Sequence, residues 1–160
     1  MPTVRKLEPT DRASLEAALR SDGTFRDDEV AVALELIDEA LAGSTDYLVR
    51  VAELDAGSDA ARVAGYICFG PTPMTAATYD LYWIVVHADA RGRGVAGALI
   101  ETMERELAAR SATAVRVETS QTEGYGAARK LYARHDYPEA ARFSDFYAPG
   151  DDLIVYYKRL

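Results

Sequence analysis

The sequence predicts a single α+β domain over residues 1–160, with a central mixed, mostly antiparallel sheet of about seven strands flanked by about four helices. Three observations lead there. The chain has 160 residues, 49% of them hydrophobic and 28% charged, which suits one globular domain with a sizeable core. Its segments alternate between helical and strand periodicity in the order β-α-α-β-β-β-α-β-α-β-β. No internal repeat, low-complexity stretch or linker interrupts that order.

The elements follow in turn. "TVRKL" (Thr3–Leu7) reads as a short strand. Pro9 and Thr10 open a helix, from Asp11 to Arg20, with Leu15, Ala18 and Leu19 at helical spacing. A second helix runs from Arg26 to Ala42. Its acidic first turn (Asp27, Asp28, Glu29) complements the helix dipole, and Val30, Ala33, Leu34, Ile37 and Leu41 form one apolar stripe. "YLVRVAEL" and "RVAGYICFG" make an antiparallel hairpin around the turn-rich "DAGSDAA". "YDLYWIVV" (Tyr79–Val86) is the most apolar strand. A helix from Val95 to Arg110 carries Val95, Leu99, Met103 and Leu107 on one face. "AVRVET" is a strand and "GAARKLYARH" a helix that stops near Asp136, before Tyr137–Pro138. Two strands, Ala141–Tyr147 and Leu153–Arg159, close the chain around "APGDD".

Composition narrows the function classes. A formal charge of −8 argues against general nucleic-acid binding, and no apolar run is long enough for a membrane helix. "MPTVRKLEPTDR" lacks the apolar core of a signal peptide, and one cysteine, Cys68, fits a reducing compartment. A cytoplasmic protein, monomeric or homodimeric, is the expectation. Cys68 lies in an apolar strand without a basic neighbour and reads as an inert thiol. His87 and His135 are too few and too far apart for a metal site, so none is expected.

The stretch "ARGRGVAGAL" carries Gly92-x-Gly94-x-x-Gly97, the spacing of a dinucleotide-binding fingerprint, with Glu118 placed where a ribose-binding acid would stand. Its context opposes that reading. Five residues, "HADAR", separate the preceding strand from Gly92, and a hairpin rather than a βαβ unit precedes it. Too little chain follows Gly97 to complete a doubly wound domain. Glycines here allow successive N–H groups to face an anion at a helix N-terminus, and Arg91 and Arg93 add bidentate cations in an acidic chain. A tight strand-to-helix turn with two solvated arginines satisfies the same residues.

"IVVHADARGRGVAGALI" resembles the acetyl-coenzyme A loop of the GCN5-related N-acetyltransferases (GNAT), whose pattern fits Arg91, Gly94 and Ala96. "AARKLYARHDY" resembles the second signature of that family through Ala128, Tyr132 and Tyr137, and the order of elements from Thr3 to Leu160 is also the family's. Two positions depart from the pattern. Tyr125 stands where the family often has Asn, and Asp136 where a Gly ends the helix. Asp tolerates a left-handed cap, so the helix end is expected to survive.

The resemblance implies an acetyl-coenzyme A-dependent N-acetyltransferase that passes an acetyl group directly to a primary amine. A protein N-terminus or lysine as acceptor, and a non-catalytic acyl-coenzyme A-binding module, are the alternatives. It implies a cofactor site made of Ile84, Val85 and Val86 beside the pantetheine arm, the loop Arg91, Gly92, Arg93, Gly94, Val95, Ala96 and Gly97, and Tyr125. Tyr132 would be the proton donor to the departing sulfur, a role its ordinarily protonated phenol suits. The amine needs a base, because a free alkylamine is protonated at neutral pH. Glu118 is the first candidate, Asp80 the second and Glu29 the third. The acceptor is expected among "SDGTFRDDE", "GPTPMTAATYD" and "FSDFYAPGDD". Their aromatic residues (Phe25, Tyr79, Tyr82, Phe146, Tyr147) and acids suit an amine carrying apolar bulk, such as an amino acid derivative or polyamine.

Overall fold

The computed structural model describes residues 1–160. One seven-stranded sheet, in the order β1-β2-β3-β4-β5-β7-β6, forms the middle layer. Its strands are β1 (Thr3–Lys6), β2 (Leu48–Leu54), β3 (Arg62–Pro71), β4 (Thr78–Val86), β5 (Ala114–Ser120), β6 (Glu139–Ala148) and β7 (Asp151–Arg159). All neighbours pair antiparallel except β4 and β5, which run parallel and are joined through a helical crossover.

Helices α1 (Arg12–Arg20) and α2 (Asp27–Leu41) cover one face, and α3 (Val95–Ala109) and α4 (Gly126–Arg134) cover the other. The apolar stripes decide which side of each helix is buried. Leu15, Leu19, Val30, Ala33 and Ile37 pack on Val49, Val51, Tyr66, Cys68 and Val85. Val95, Leu99, Ile100, Met103 and Leu107 pack on Leu54, Ile67, Phe69, Val115 and Val117. The expected element order holds throughout, with boundaries that move by a residue or two. Short 3-10 turns at Pro9–Asp11, Ala88–Ala90 and Glu123–Tyr125 are additions, since single turns carry no periodicity to read.

Two irregularities in β4 matter for function. Pairing with β5 covers only Thr78–Leu81 against Ala114–Val117, although β4 continues to Val86 and β5 to Ser120. The strands therefore diverge above Leu81 and Val117, and the edge of β4 from Tyr82 to Val86 has no strand beside it on that side. Register with β3 also slips, because Phe69 faces Leu81 while Cys68 faces Trp83, leaving Tyr82 as an extra residue. That bulge puts Tyr82 and Trp83, consecutive residues, against the α1–α2 core, whereas Leu81 and Ile84 contribute to the opposite core.

Candidate active site at the divergence of β4 and β5

The loop between β4 and α3 lies at the mouth of this divergence. Gly92 and Gly94 both have left-handed backbone, with φ of 73° and 79°. Gly94 is the residue from which α3 starts, so the chain turns into the helix through a conformation that a side chain would strain. The first hydrogen bond of the helix runs from the Ala98 N–H to the Gly94 carbonyl, at 3.1 Å. The N–H groups of residues 92–97 have no hydrogen-bond partner in the chain. Six successive donors at a helix N-terminus make a cradle for an anion. Gly97 contributes less: a methyl group there would stand 3.5 Å from His135 Nε2, an ordinary contact.

Both loop arginines already hold acids. Arg91 is paired with Asp22, in the segment between α1 and α2, and Arg93 lies 3.7 Å from Asp55. The same α1–α2 segment is tied to this loop by the Ala88 N–H, which donates to Ser21 Oγ at 3.0 Å. Its other end reaches α4. Phe25 packs edge-on against Trp83 and Tyr125, and the Tyr125 hydroxyl donates to Glu29 at 3.0 Å. Desolvation and that bond to a carboxylate raise the Tyr125 phenol above its usual range. Tyr125 and Glu29 are thus brought together across 96 residues of sequence.

On the α3–α4 side, Tyr132 is 4% exposed, with its ring 5.3 Å from that of Tyr156 and 6.1 Å from that of Tyr137. Its hydroxyl makes no hydrogen bond in the chain, and it is not sealed off, because the one fully buried side-chain polar atom without a partner is Tyr66 Oη. Burial pushes the Tyr132 phenol well above the ordinary tyrosine value, so it stays protonated. The end of α4 fixes this ring. The Tyr137 N–H donates to the Tyr132 carbonyl at 3.0 Å and the Asp136 N–H to the Ala133 carbonyl at 3.3 Å, the paired bonds of a Schellman cap. Asp136 takes the left-handed position with φ 61°, as expected of the residue replacing glycine. Lys158 Nζ closes the end by donating to the His135 carbonyl and to Glu104, each at 2.8 Å. Arg129 ties the start of α4 to the end of β5 through the carbonyls of Ser120 and Thr122.

The opposite face of the divergence holds a cleft of ≈ 210 Å³ lined by Asp80, Leu81, Tyr82, Arg116, Glu118 and Tyr147. Asp80 is 6% exposed, and both its oxygens are engaged. Oδ1 accepts from Arg116 Nε at 2.7 Å, and Oδ2 from Arg116 Nη2 at 3.2 Å and Thr72 Oγ1 at 2.8 Å. Glu118, two residues beyond Arg116 on β5, is about half exposed and makes no hydrogen bond. Tyr82 leans on Tyr47 with centroids 5.4 Å apart, and desolvation with the nearby Asp80 charge takes its phenol up to about 12.

Of the aromatic residues expected around an acceptor, Tyr82 and Tyr147 line this cleft. Tyr79 packs toward the other core, and Phe146 is exposed on β6. Arg116 is the residue that sequence reasoning missed, since its partner Asp80 lies 36 positions away. Cys68 is buried and its thiol is pushed up to about 12 by desolvation, so it offers no nucleophile. No helix is long and apolar enough to cross a membrane.

Residues 45–139 match the family model described as the acetyltransferase (GNAT) domain. Among solved structures, one described as a GNAT-family acetyltransferase from Desulfovibrio desulfuricans is similar with 32% identity, 99% of each chain covered and a TM-score of 0.89. The ribosomal-protein-S18-alanine N-acetyltransferase from Escherichia coli has 21% identity over 99% of this chain and 94% of its own, with a TM-score of 0.75. An aminoglycoside 6'-N-acetyltransferase complexed with coenzyme A has 14% identity over 98% and 96%, with a TM-score of 0.74. A comparison with curated protein sequences gives no match.

Proposed function

The chain belongs to the GNAT acetyltransferase family, and from that premise we propose that it transfers an acetyl group from acetyl-coenzyme A directly to the primary amine of a small molecule. The observation that carries this reading is the row of six unpartnered N–H groups, Gly92 to Gly97, beside Arg91 and Arg93 at the mouth of the strand divergence. Those donors and guanidinium groups match a pyrophosphate in charge and in hydrogen-bonding type. Acetyl-coenzyme A, when bound, supplies the activated acetyl group and a thiolate leaving group.

The rest is work for this chain's own residues. Arg91 exchanges Asp22 for a phosphate oxygen, and Arg93 adds a second charge across the loop. Val95 and Ala96, in the first turn of α3, contribute backbone N–H groups. The unpaired edge of β4 at Ile84, Val85 and Val86 offers backbone donors and acceptors to an extended amide-containing arm. Tyr125, its hydroxyl held by Glu29 and its ring packed on Phe25, is the remaining residue assigned to the cofactor. Tyr132 Oη holds a proton for the departing sulfur, in surroundings dry enough to keep it there.

Glu118 accepts the proton of the amine, directly or through one water, since its carboxylate makes no hydrogen bond and lines the acceptor cleft. Asp80 orients Arg116 instead, because its oxygens are already filled. Glu29, bonded to Tyr125 and to the Arg26 N–H, has a structural role. The related structures act on aminoglycosides and on a ribosomal protein by their descriptions, so family membership alone does not choose the acceptor. The cleft of ≈ 210 Å³, half open to solvent, has room for a small amine.

Calorimetric titration of coenzyme A tests the loop. Binding near 1:1 is expected, and Arg91→Ala weakens it by about tenfold. Equal affinity in the wild type and Arg91→Ala would remove that arginine from the site.

A further inference from the structure

The acceptor cleft holds a cation and an anion side by side and not hydrogen-bonded to each other. Arg116 and Glu118 stand on the same face of β5, two residues apart, with Arg116 Nη1 3.9 Å from Glu118 Oε1. That separation lies outside hydrogen-bond reach. Asp80, nearly buried and braced by Thr72, grips the Nε and Nη2 edge of the guanidinium and so fixes its plane. Nη1 has no hydrogen-bond partner, and the Arg116 side chain is 41% exposed toward the cleft. A guanidinium held on one edge and open on the other is preorganised for a carboxylate or phosphate. Glu118, whose carboxylate makes no hydrogen bond, suits an ammonium group.

Building on the proposed acetyltransferase reading, we infer that the acceptor is a free amino acid, with Glu118 taking its amine and Arg116 reading its carboxylate. In an α-amino acid the two charges sit on one carbon, and laid antiparallel against Arg116 and Glu118 each meets its opposite. An amine without a carboxylate would satisfy Glu118 but leave the open N–H groups of Arg116 desolvated and unpaired, which is unfavourable. A peptide N-terminus puts a neutral amide there, whose single carbonyl oxygen is a weaker partner for a guanidinium than a bidentate carboxylate. Leu81, Tyr82 and Tyr147 supply an apolar wall for the amino acid's side chain.

The experiment uses wild-type enzyme, acetyl-coenzyme A and matched acceptors: free amino acids with aliphatic and aromatic side chains, their carboxamides, the corresponding decarboxylated amines, and dipeptides beginning with the same residue. The free acid should exceed its carboxamide in kcat/KM by about 10- to 100-fold, mostly through KM. Arg116→Gln should bring that ratio toward one, and Arg116→Lys should restore part of it. Because Arg116→Gln leaves Asp80 without its cation, folding of each variant is checked by its coenzyme A affinity. The wild-type panel itself needs no variant. Carboxamides, amines or dipeptides turned over as well as free acids would overturn the inference. So would coenzyme A binding without turnover of any free acid, which leaves the cofactor site standing. Failure to bind coenzyme A would instead overturn the underlying acetyltransferase reading, and the inference with it.

Discussion

Replacing Tyr132 by Phe separates chemistry from folding. The ring lies against Tyr156 and Tyr137, and the substitution keeps every one of those contacts. The hydroxyl it removes makes no hydrogen bond in the chain, so no partner is orphaned, and stability should stay within about 0.5 kcal/mol of wild type. Catalysis should fare differently. A positioned proton donor contributes about 10²- to 10⁴-fold, equivalent to about 2.7–5.4 kcal/mol of barrier. Burial raises the phenol well above its usual value, so wild-type enzyme retains this proton through alkaline assays and Tyr132 gives no falling limb below about pH 10. The assay is thiol release from acetyl-coenzyme A with a saturating acceptor, alongside urea unfolding and coenzyme A calorimetry. A loss in kcat of at least 100-fold with unchanged stability and coenzyme A affinity is expected. A change of less than about threefold would refute the assignment.

Other substitutions probe the frame that holds the site. Tyr66 is fully buried with an unpartnered hydroxyl, so Tyr66→Phe should raise unfolding free energy by about 0.5–1.5 kcal/mol in urea titrations. Gly94→Ala must strain a left-handed residue and should weaken coenzyme A binding about tenfold or more. Gly97→Ala, facing only an ordinary contact inside a helix, should keep that affinity and match or exceed wild-type stability. Burial alone would raise the Asp11 carboxyl, but its bonds from Arg5 and the Glu8 N–H outweigh this and lower it below the usual carboxylate range. Its stabilisation is therefore complete above about pH 4 and fades as pH falls through the lowered folded value. Asp11→Asn should lose about 1–3 kcal/mol at pH 7, and the gap to wild type should narrow in acid, as followed by circular dichroism.

The fold was legible because its signals are local. The stripes of α2 and α3 and the turn-rich "DAGSDAA" each act within a few residues, and each matches an observed element or turn. The turn from β4 into α3 was legible as well, since closely spaced glycines are a short pattern and Gly92 and Gly94 take left-handed backbone there. What escaped depends on register across the sheet. Asp80 reads in sequence as a free carboxylate and a candidate base, yet the pairing of Asp80 with Arg116 across β4 and β5 fills it. The bulge at Tyr82 likewise arises between strands, and no one-strand pattern announces it. Arg91 reads as a free cation, but Asp22, 69 residues away, answers it in the folded chain.

Acetyl transfer from coenzyme A to an amine nitrogen is tested most plainly by isotope tracing. Enzyme, acetyl-coenzyme A labelled with carbon-13 in the acetyl group, and a free amino acid are combined, and the products are read by mass spectrometry. One labelled acetyl group on the amine nitrogen per coenzyme A released is expected, with loss of that product in Tyr132→Phe. Label found only in acetate, or remaining on coenzyme A while the protein binds it tightly, would contradict amine acetylation by this protein.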